Sequence, residues 1–362
     1  MARKPRVVFD SDVFSLQVHG GVSRYYAEVI PRLGQFGVEP RLVVPLSVNE
    51  HLRLRPPVLG VRLPARMLTR ATHRAARFAS KAADQIVPRL VRPDILHQTL
   101  YSNNYPQSWK RAVTVVDMIP EVLPENVSAD AHKGKREACQ AASLIFTISK
   151  KTKEDLLRIW PDLECPVEVT PLAVDTGFYN QHARGEEGEQ ILFVGNRRRY
   201  KNFQTFAEAA SRLLQQHPEL SVLCVGGGAL GEEELRPFRE TGTEARCLAV
   251  TVRDTELPSL YRKSKAFVFP SKYEGFGLPI LESFAAGCPA IISRASCFPE
   301  IADEAAEYFD PESPDELFHV LSRVVADKQR REELQALGFR RLTHFSWERT
   351  AELTRDGYLK IL

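Results

Sequence analysis

A pair of doubly wound parallel α/β domains is the fold this chain predicts, on three observations. Short β-branched and aromatic runs alternate with amphipathic segments along the whole length. The alternation is interrupted by a Gly- and Glu-rich stretch, Gly185-Glu-Glu-Gly-Glu189, and then starts again. At 362 residues there is chain enough for two separate cores.

In the first set, Val7 to Phe9, Arg41 to Val44, Ile95 to His97, Val113 to Val116 and Leu144 to Thr147 read as strands. Helices are expected from about Val22, from about Ala129 and after Ser149, whose hydroxyl suits an N-cap. In the second set the strands are Ile191 to Val194, Val222 to Val225, Cys247 to Val250, Ala266 to Phe269 and Ala290 to Ile292. Ser313-Pro-Asp-Glu316 is a capping box with proline at the first helical position. From Phe345-Ser-Trp onward a capped terminal helix is expected. The domains are therefore placed at 1–180 and 190–344, with 345–362 as the last helix. Ligands of such sheets bind beyond the carboxyl ends of the strands, so a cleft between the domains is the expected site.

Composition excludes several classes. Hydrophobic content of 43% and charged content of 26% describe an ordinary globular protein. No apolar run approaches the ~20 residues that span a bilayer, and Met-Ala-Arg-Lys-Pro opens no signal peptide. A cytoplasmic location is expected, with the six cysteines reduced, because none shows metal-ligand spacing. A net charge of +3 is too small to argue for nucleic acid, and none is expected as a partner. The charge is uneven, however, since residues 51–92 carry Asp84 as their sole acidic residue. Arg62, Arg66, Arg70 and Arg74 recur every fourth residue there, with Leu63, Met67 and Phe78 nearby. That segment reads either as a helix face docking on anionic lipid or as a solvated face whose arginine stems cover a core. Oligomeric state is not legible.

The chemistry concentrates in Phe269-Pro-Ser-Lys-Tyr-Glu-Gly-Phe-Gly-Leu-Pro-Ile-Leu-Glu282. A strand ends, Pro270 and Gly275 break it, and Pro279 opens a helix. The backbone N–H groups of Phe276, Gly277 and Leu278 then point from a helix N-terminus, which favours an anion. Glu274 and Glu282, the latter expected in the first helical turn, flank that phosphate nest. Carboxylates beside a phosphate make sense when each accepts hydrogen bonds from hydroxyls of the same ligand, about 1.5–3 kcal/mol each. The ligand described is a nucleotide sugar. Asn196-Arg-Arg-Arg-Tyr-Lys-Asn202 adds a cationic loop at another strand end, suited to a diphosphate.

The Glu274 to Glu282 run resembles the signature of retaining glycosyltransferase family four, of the GT-B fold with two Rossmann-like domains. The resemblance extends through Phe146-Thr-Ile-Ser149, Thr170-Pro-Leu-Ala-Val-Asp175 and Pro299-Glu-Ile-Ala302. It implies that Glu274 contacts the transferred sugar and Glu282 the ribose, and that Arg197 and Lys201 hold the phosphates. It implies a base-reading backbone near Val252, and it makes Gly20 and Gly21 a pair close to the donor phosphates and the acceptor. Gly227, within Gly226-Gly-Gly228, would let the nucleoside approach, and Gly275 belongs to the phosphate loop. In the GT-B fold the terminal helix crosses back onto the first domain.

For the acceptor, Arg24 in a first helical turn and His97 at a strand end are candidates. Asp117 is the leading one, for orienting the acceptor hydroxyl or stabilising the sugar's positive charge. The family's segment there commonly reads His-Asp, and this chain has Val116 in the His position. The expectation is a retaining hexosyltransferase acting on a saccharide hydroxyl, with the acceptor lipid-linked in bacterial surface polysaccharide synthesis. GDP-mannose is favoured as donor, UDP-sugars come next, and no metal ion is required because no DxD motif stands at a strand end. A soluble glucan or disaccharide synthase, a nucleotide-sugar epimerase and a binding-only sensor are the alternatives.

Overall fold

The computed structural model describes residues 3–362 apart from 19, 53, 55, 64–68, 103–104, 127–131, 184 and 198. Two compact units divide the chain. The first comprises Met1–Val122, Ser128–Leu172 and Trp347–Leu362, the second Leu123–Val127 and Ala173–Ser346.

In the first unit, β1 (Arg6–Phe9), β2 (Glu39–Ser47), β3 (Val58–Arg62), β4 (Ile95–Gln98), β5 (Arg111–Val115), β6 (Leu144–Thr147) and β7 (Val167–Val169) form one sheet. Their order is β3-β2-β1-β4-β5-β6-β7, and every pair is parallel. Strands β4, β5 and β6 are buried at every position, as a sheet covered on both faces requires. Ser149 caps the helix Lys150–Ile159 through the Thr152 N–H. The helix expected from Ala129 begins at Lys135 instead, after residues that lie outside those described.

The helix Trp347–Ile361 belongs to this first unit. Its Thr350 donates to the Pro171 carbonyl at 2.6 Å, and its Glu348 accepts from Arg32 at 2.9 Å. Tyr358 is fully buried against Phe146 and His97.

The second unit carries β8 (Gln190–Val194), β9 (Ser221–Val225), β10 (Cys247–Val250), β11 (Ser264–Phe269), β12 (Ala290–Ser293) and β13 (Ala306–Phe309). This sheet is also parallel throughout, in the order β10-β9-β8-β11-β12-β13. Its core packs Phe193, Phe203 and Phe206 of the first βα unit against Leu317, Leu321 and Val324 of the helix Pro314–Ala326. Ser313 caps that helix through the Glu316 N–H.

Gly185 to Glu189 lies inside the second unit, beyond the helix Thr176–His182. Glu187 explains why: it accepts both N–H groups of the buried Arg331 fork, at 3.0 and 2.8 Å. The arginine repeat also divides. Arg62 ends strand β3, held there by pairing with Ser47 of β2, whereas Arg74 lies in the helix Arg70–Val91. A single helix face through both is ruled out; Arg66, Met67 and the Arg70 side chain lie outside the described residues.

Candidate active site

Both sheets reverse strand order once, between β1 and β4 and between β8 and β11. Open parallel sheets take ligands beyond the strand ends at such a reversal, because the connections on either side leave in opposite directions and open a crevice. In the second unit the segments leaving β8 and β11 are Gly195–Asn202 and Pro270–Gly277, which hold the cationic and acidic residues read from the sequence.

Lys201 and Glu274 come together there as an ion pair between Nζ and Oε1. Both side chains are largely buried, and the ammonium also lies over the rings of Tyr200 and Phe269, at 5.4 and 5.5 Å. The acidic loop is fastened from behind. The Glu274 N–H donates to Ser296 Oγ at 3.2 Å, Ser296 donates back to the Glu274 carbonyl at 2.7 Å, and Cys297 Sγ reaches the Phe276 carbonyl at 3.1 Å. Gly277 has φ +91° and precedes the helix Leu278–Ala285, with Pro279 in its first turn. A Cβ on Gly277 would stand 3.1 Å from the side chains of Ile280 and Phe298, so the left-handed backbone favours glycine and any larger residue would also crowd those two. The loop's N–H groups are thereby aimed by packing rather than by a side-chain cap.

Glu282 falls in the second turn of that helix, not the first. It is buried, and Tyr261 donates to its Oε2 at 3.3 Å. Burial and the neighbouring Glu282 push the Tyr261 phenol well above its ordinary range, so Tyr261 remains a donor to Glu282.

Arg197 has a different role from the one expected. Its side chain is 3% exposed, and Nε donates to Glu234 at 2.8 Å. Nη1 donates to the Gly226 carbonyl, and Nη2 to those of Gly227, Gly228 and Ala229. The three glycines have φ +88°, +74° and +79°, a run of left-handed backbone whose carbonyls converge on one guanidinium. Arg197 shapes the glycine turn instead of presenting its donors to a phosphate. Arg199 is exposed, Arg198 lies outside the described residues, and half-buried Val252 lies in the segment after β10.

In the first unit, Gly21 opens the helix Gly21–Leu33 and Gly20 precedes it. The Gln17 side chain caps this helix by accepting from the Ser23 N–H at 3.2 Å, and Arg24 is half-buried in its first turn.

His97 is a core residue and not an acceptor ligand. It is 1% exposed, stacked between Phe9 and Phe146, and bonded to Tyr358 at 2.5 Å and Thr114 at 2.9 Å. Burial lowers its pKa to about 3.

Asp117 caps the turn that follows it, accepting from the Ile119 N–H at 3.0 Å. Lys135, 1% exposed, ties this loop down by donating to the Asp117 carbonyl at 3.0 Å and to Glu121 at 2.7 Å. His132 stands 3.6 Å from Asp117 Oδ1. The helix expected over that stretch hides it in the sequence, where its one signal is a histidine in the segment that leaves strand β5. Around the reversal of this sheet, Asp10, Asp12 and Asp84 are packed closely enough that burial raises all three carboxyls, Asp84 to about 7. Among the described residues no cluster of three or more His, Cys, Asp or Glu side chains suits a metal ion.

Two doubly wound parallel sheets with a cationic loop, an acidic loop and a helix N-terminus define a glycosyltransferase of the GT-B fold. Residues 177–340 match the family model described as glycosyl transferases group 1. Similar proteins include O-antigen chain mannosyltransferase B of Escherichia coli, 28% identical over 273 residues, covering 70% of this chain and 71% of the relative. The serotype-specific mannosyltransferase WbdA of Escherichia coli is 26% identical over 327 residues, covering 78% of this chain but 39% of that protein. Sucrose-phosphate synthase from Thermosynechococcus elongatus shares the fold, with a TM-score of 0.75 at 19% identity and 99% of each chain covered.

Proposed function

We propose that this chain transfers a hexose from a nucleoside diphosphate sugar to a saccharide hydroxyl, with retention at the anomeric carbon. Mannose from GDP-mannose is the favoured donor, and a lipid-linked acceptor in bacterial surface polysaccharide synthesis is the favoured context. Support for mannose and for a surface polysaccharide comes from the mannosyltransferases named above, one of them named for the O-antigen chain. The observation that carries the reading is the Lys201–Glu274 pair at a strand-order reversal, beside the N–H groups that open the helix Leu278–Ala285.

An arriving diphosphate would take Lys201 as its counter-ion and the loop N–H groups as donors, which frees Glu274 to accept from the sugar's hydroxyls. The bond from the anomeric carbon to the diphosphate oxygen breaks, and a bond to the acceptor oxygen forms on the same face. The acceptor proton passes to a phosphate oxygen of the leaving group, so no protein base is consumed. Lys201 and the helix N-terminus act where negative charge grows, the kind of preorganised contact that lowers a barrier most. Glu282, held by Tyr261, is assigned to the ribose.

Release of nucleoside diphosphate from a panel of nucleotide sugars, with and without added saccharide, tests this. Glu274→Ala and Lys201→Ala should each lower turnover at least tenfold with unchanged melting temperatures. Near-wild-type turnover in either removes that residue's role, and a donor converted to another nucleotide sugar without acceptor and without net release of diphosphate points to an epimerase.

A further inference from the structure

The strand-order reversal of the first unit carries its own pocket, a cavity of about 790 Å³ whose lining includes Asp12, Arg77, Lys81, Tyr101, His132 and Lys133. Its walls come from the segments that follow β1, β4 and β5 and from the helix Arg70–Val91. Three cations therefore share one cavity with two carboxyl groups, those of Asp12 and Asp84, and the rings of Tyr101, Tyr105 and His132. Among the described residues Arg77, Lys81 and Lys133 make no ion pair within 4.0 Å, and Arg77 and Lys81 act on Asp12 only at longer range. Burial raises the pKa of both carboxyls, which weakens them as counter-charges, and cations so placed suit an anionic ligand.

His132 supplies the second observation. Its Nδ1 is shielded from solvent and has no hydrogen-bond partner among the described residues. A buried ring nitrogen left unsatisfied costs roughly 1–3 kcal/mol, so a small shift that brings Nδ1 onto Asp117 would complete the bond and leave Nε2 for a ligand. Asp117 lies 3.6 Å away, just beyond bonding distance, and its loop is pinned by Ile119 and Lys135. The Tyr101 ring packs 5.4 Å from the imidazole and keeps it against the wall. Burial holds the imidazole below its ordinary pKa against the opposing pull of Asp117, which leaves one ring nitrogen as an acceptor. With Nδ1–H turned to Asp117, Nε2 can accept from a hydroxyl.

Resting on the transferase reading, we propose that this pocket takes the acceptor as a sugar bearing a phosphate group. Arg77, Lys81 and Lys133 receive the phosphate, and His132, steadied by Asp117, accepts a hydrogen bond from the sugar. The chain lacks a histidine at Val116, next to Asp117 in sequence, and His132 brings an imidazole to the same aspartate through the fold.

Calorimetric titration of the full chain with mannose 1-phosphate and with methyl α-mannoside tests the assignment, because the pair separates phosphate from sugar. The wild type should bind the phosphate ester at least tenfold more tightly. The double variant Arg77→Gln, Lys81→Gln should abolish that preference. His132→Ala should weaken both sugars at least fivefold, and His132→Gln, which keeps an acceptor, should recover most of the loss. Nucleotide-sugar binding, measured in parallel, should stay unchanged in every variant. If wild-type and variant chains bind both sugars alike, or the wild type binds neither, the pocket assignment fails. A wild type that binds mannose 1-phosphate through these residues but neither binds nor turns over a nucleotide sugar defeats the transferase reading instead.

Discussion

At the scale of single residues, His97 and His132 show how one side-chain type divides between scaffold and site. His97 sits between two aromatic rings with both nitrogens bonded to hydroxyls, so its chemistry is spent on holding β4, β5 and the terminal helix together. Its neutrality has a consequence for stability. The folded pKa, about 3, lies below the unfolded value near 6.5, so as pH falls the unfolded chain takes up the proton first. Stability tied to His97 is intact above about pH 6.5 and drains until about pH 3, on the order of 2 kcal/mol by pH 5. Urea midpoints of the wild type and His97→Gln at pH 8 and pH 5 check this. The variant should be less stable at pH 8, and the gap should narrow at pH 5. A gap of constant size would mean that the imidazole is not held neutral. Arg197 and Lys201 divide in the same way. Both sit in one cationic loop, but the fold spends the first on four backbone carbonyls and leaves the second facing Glu274.

At the scale of elements, the central strands were legible because each is a run of apolar residues covered on both faces. The strands that were not, β3, β7 and β13, are all sheet edges. Val58-Leu-Gly-Val-Arg exposes four of its five residues and so lacks a buried-strand pattern. The donor-side loop was legible almost residue by residue, since proline, glycine and glutamate each leave a local signature. Arg197 and His97 misled because position at a strand end does not reveal what lies behind the side chain. For the helix Arg70–Val91 the sequence showed charge with Phe78 beside it, and the structure adds Ile86 and Leu90: the three are 79%, 55% and 78% exposed on a helix that also carries Arg74 and Arg89. Asp84, the acidic residue of that helix, is buried on Ser11 and cancels nothing at the surface. Such a helix fits an anionic bilayer lying along it, and no helix among the described residues is long and apolar enough to cross one. Sedimentation with vesicles containing anionic phosphatidylglycerol should recover the chain, and vesicles of phosphatidylcholine alone should recover little. Replacing Phe78, Ile86 and Leu90 by serine should release it at least tenfold. Equal recovery from both vesicle types would remove the bilayer as this helix's partner.

At the scale of the whole molecule, the chain leaves the first unit after Leu172 and returns to it at Trp347, so the first core is assembled from segments far apart in sequence. The returning helix is no appendage. Trp347, Thr350, Ala351, Thr354 and Tyr358 are all buried, and Tyr358 fills the space between His97 and Phe146. Burying Trp347 and Tyr358 alone contributes several kcal/mol at roughly 1.5–3 kcal/mol per large side chain, a sizeable share of the 5–15 kcal/mol that holds a typical domain. The second unit has its own sheet and core and draws none of its strands from this helix. A chain ending at Ser346 should therefore lose the first unit and keep the second. Hydrogen exchange should show the amides of β1 and β4–β6 deprotected while those of β8, β9, β11 and β12 stay slow. Full protection of β4–β6 in the truncated chain would show that the first sheet holds without the helix, and that the return to it serves some purpose other than completing its core.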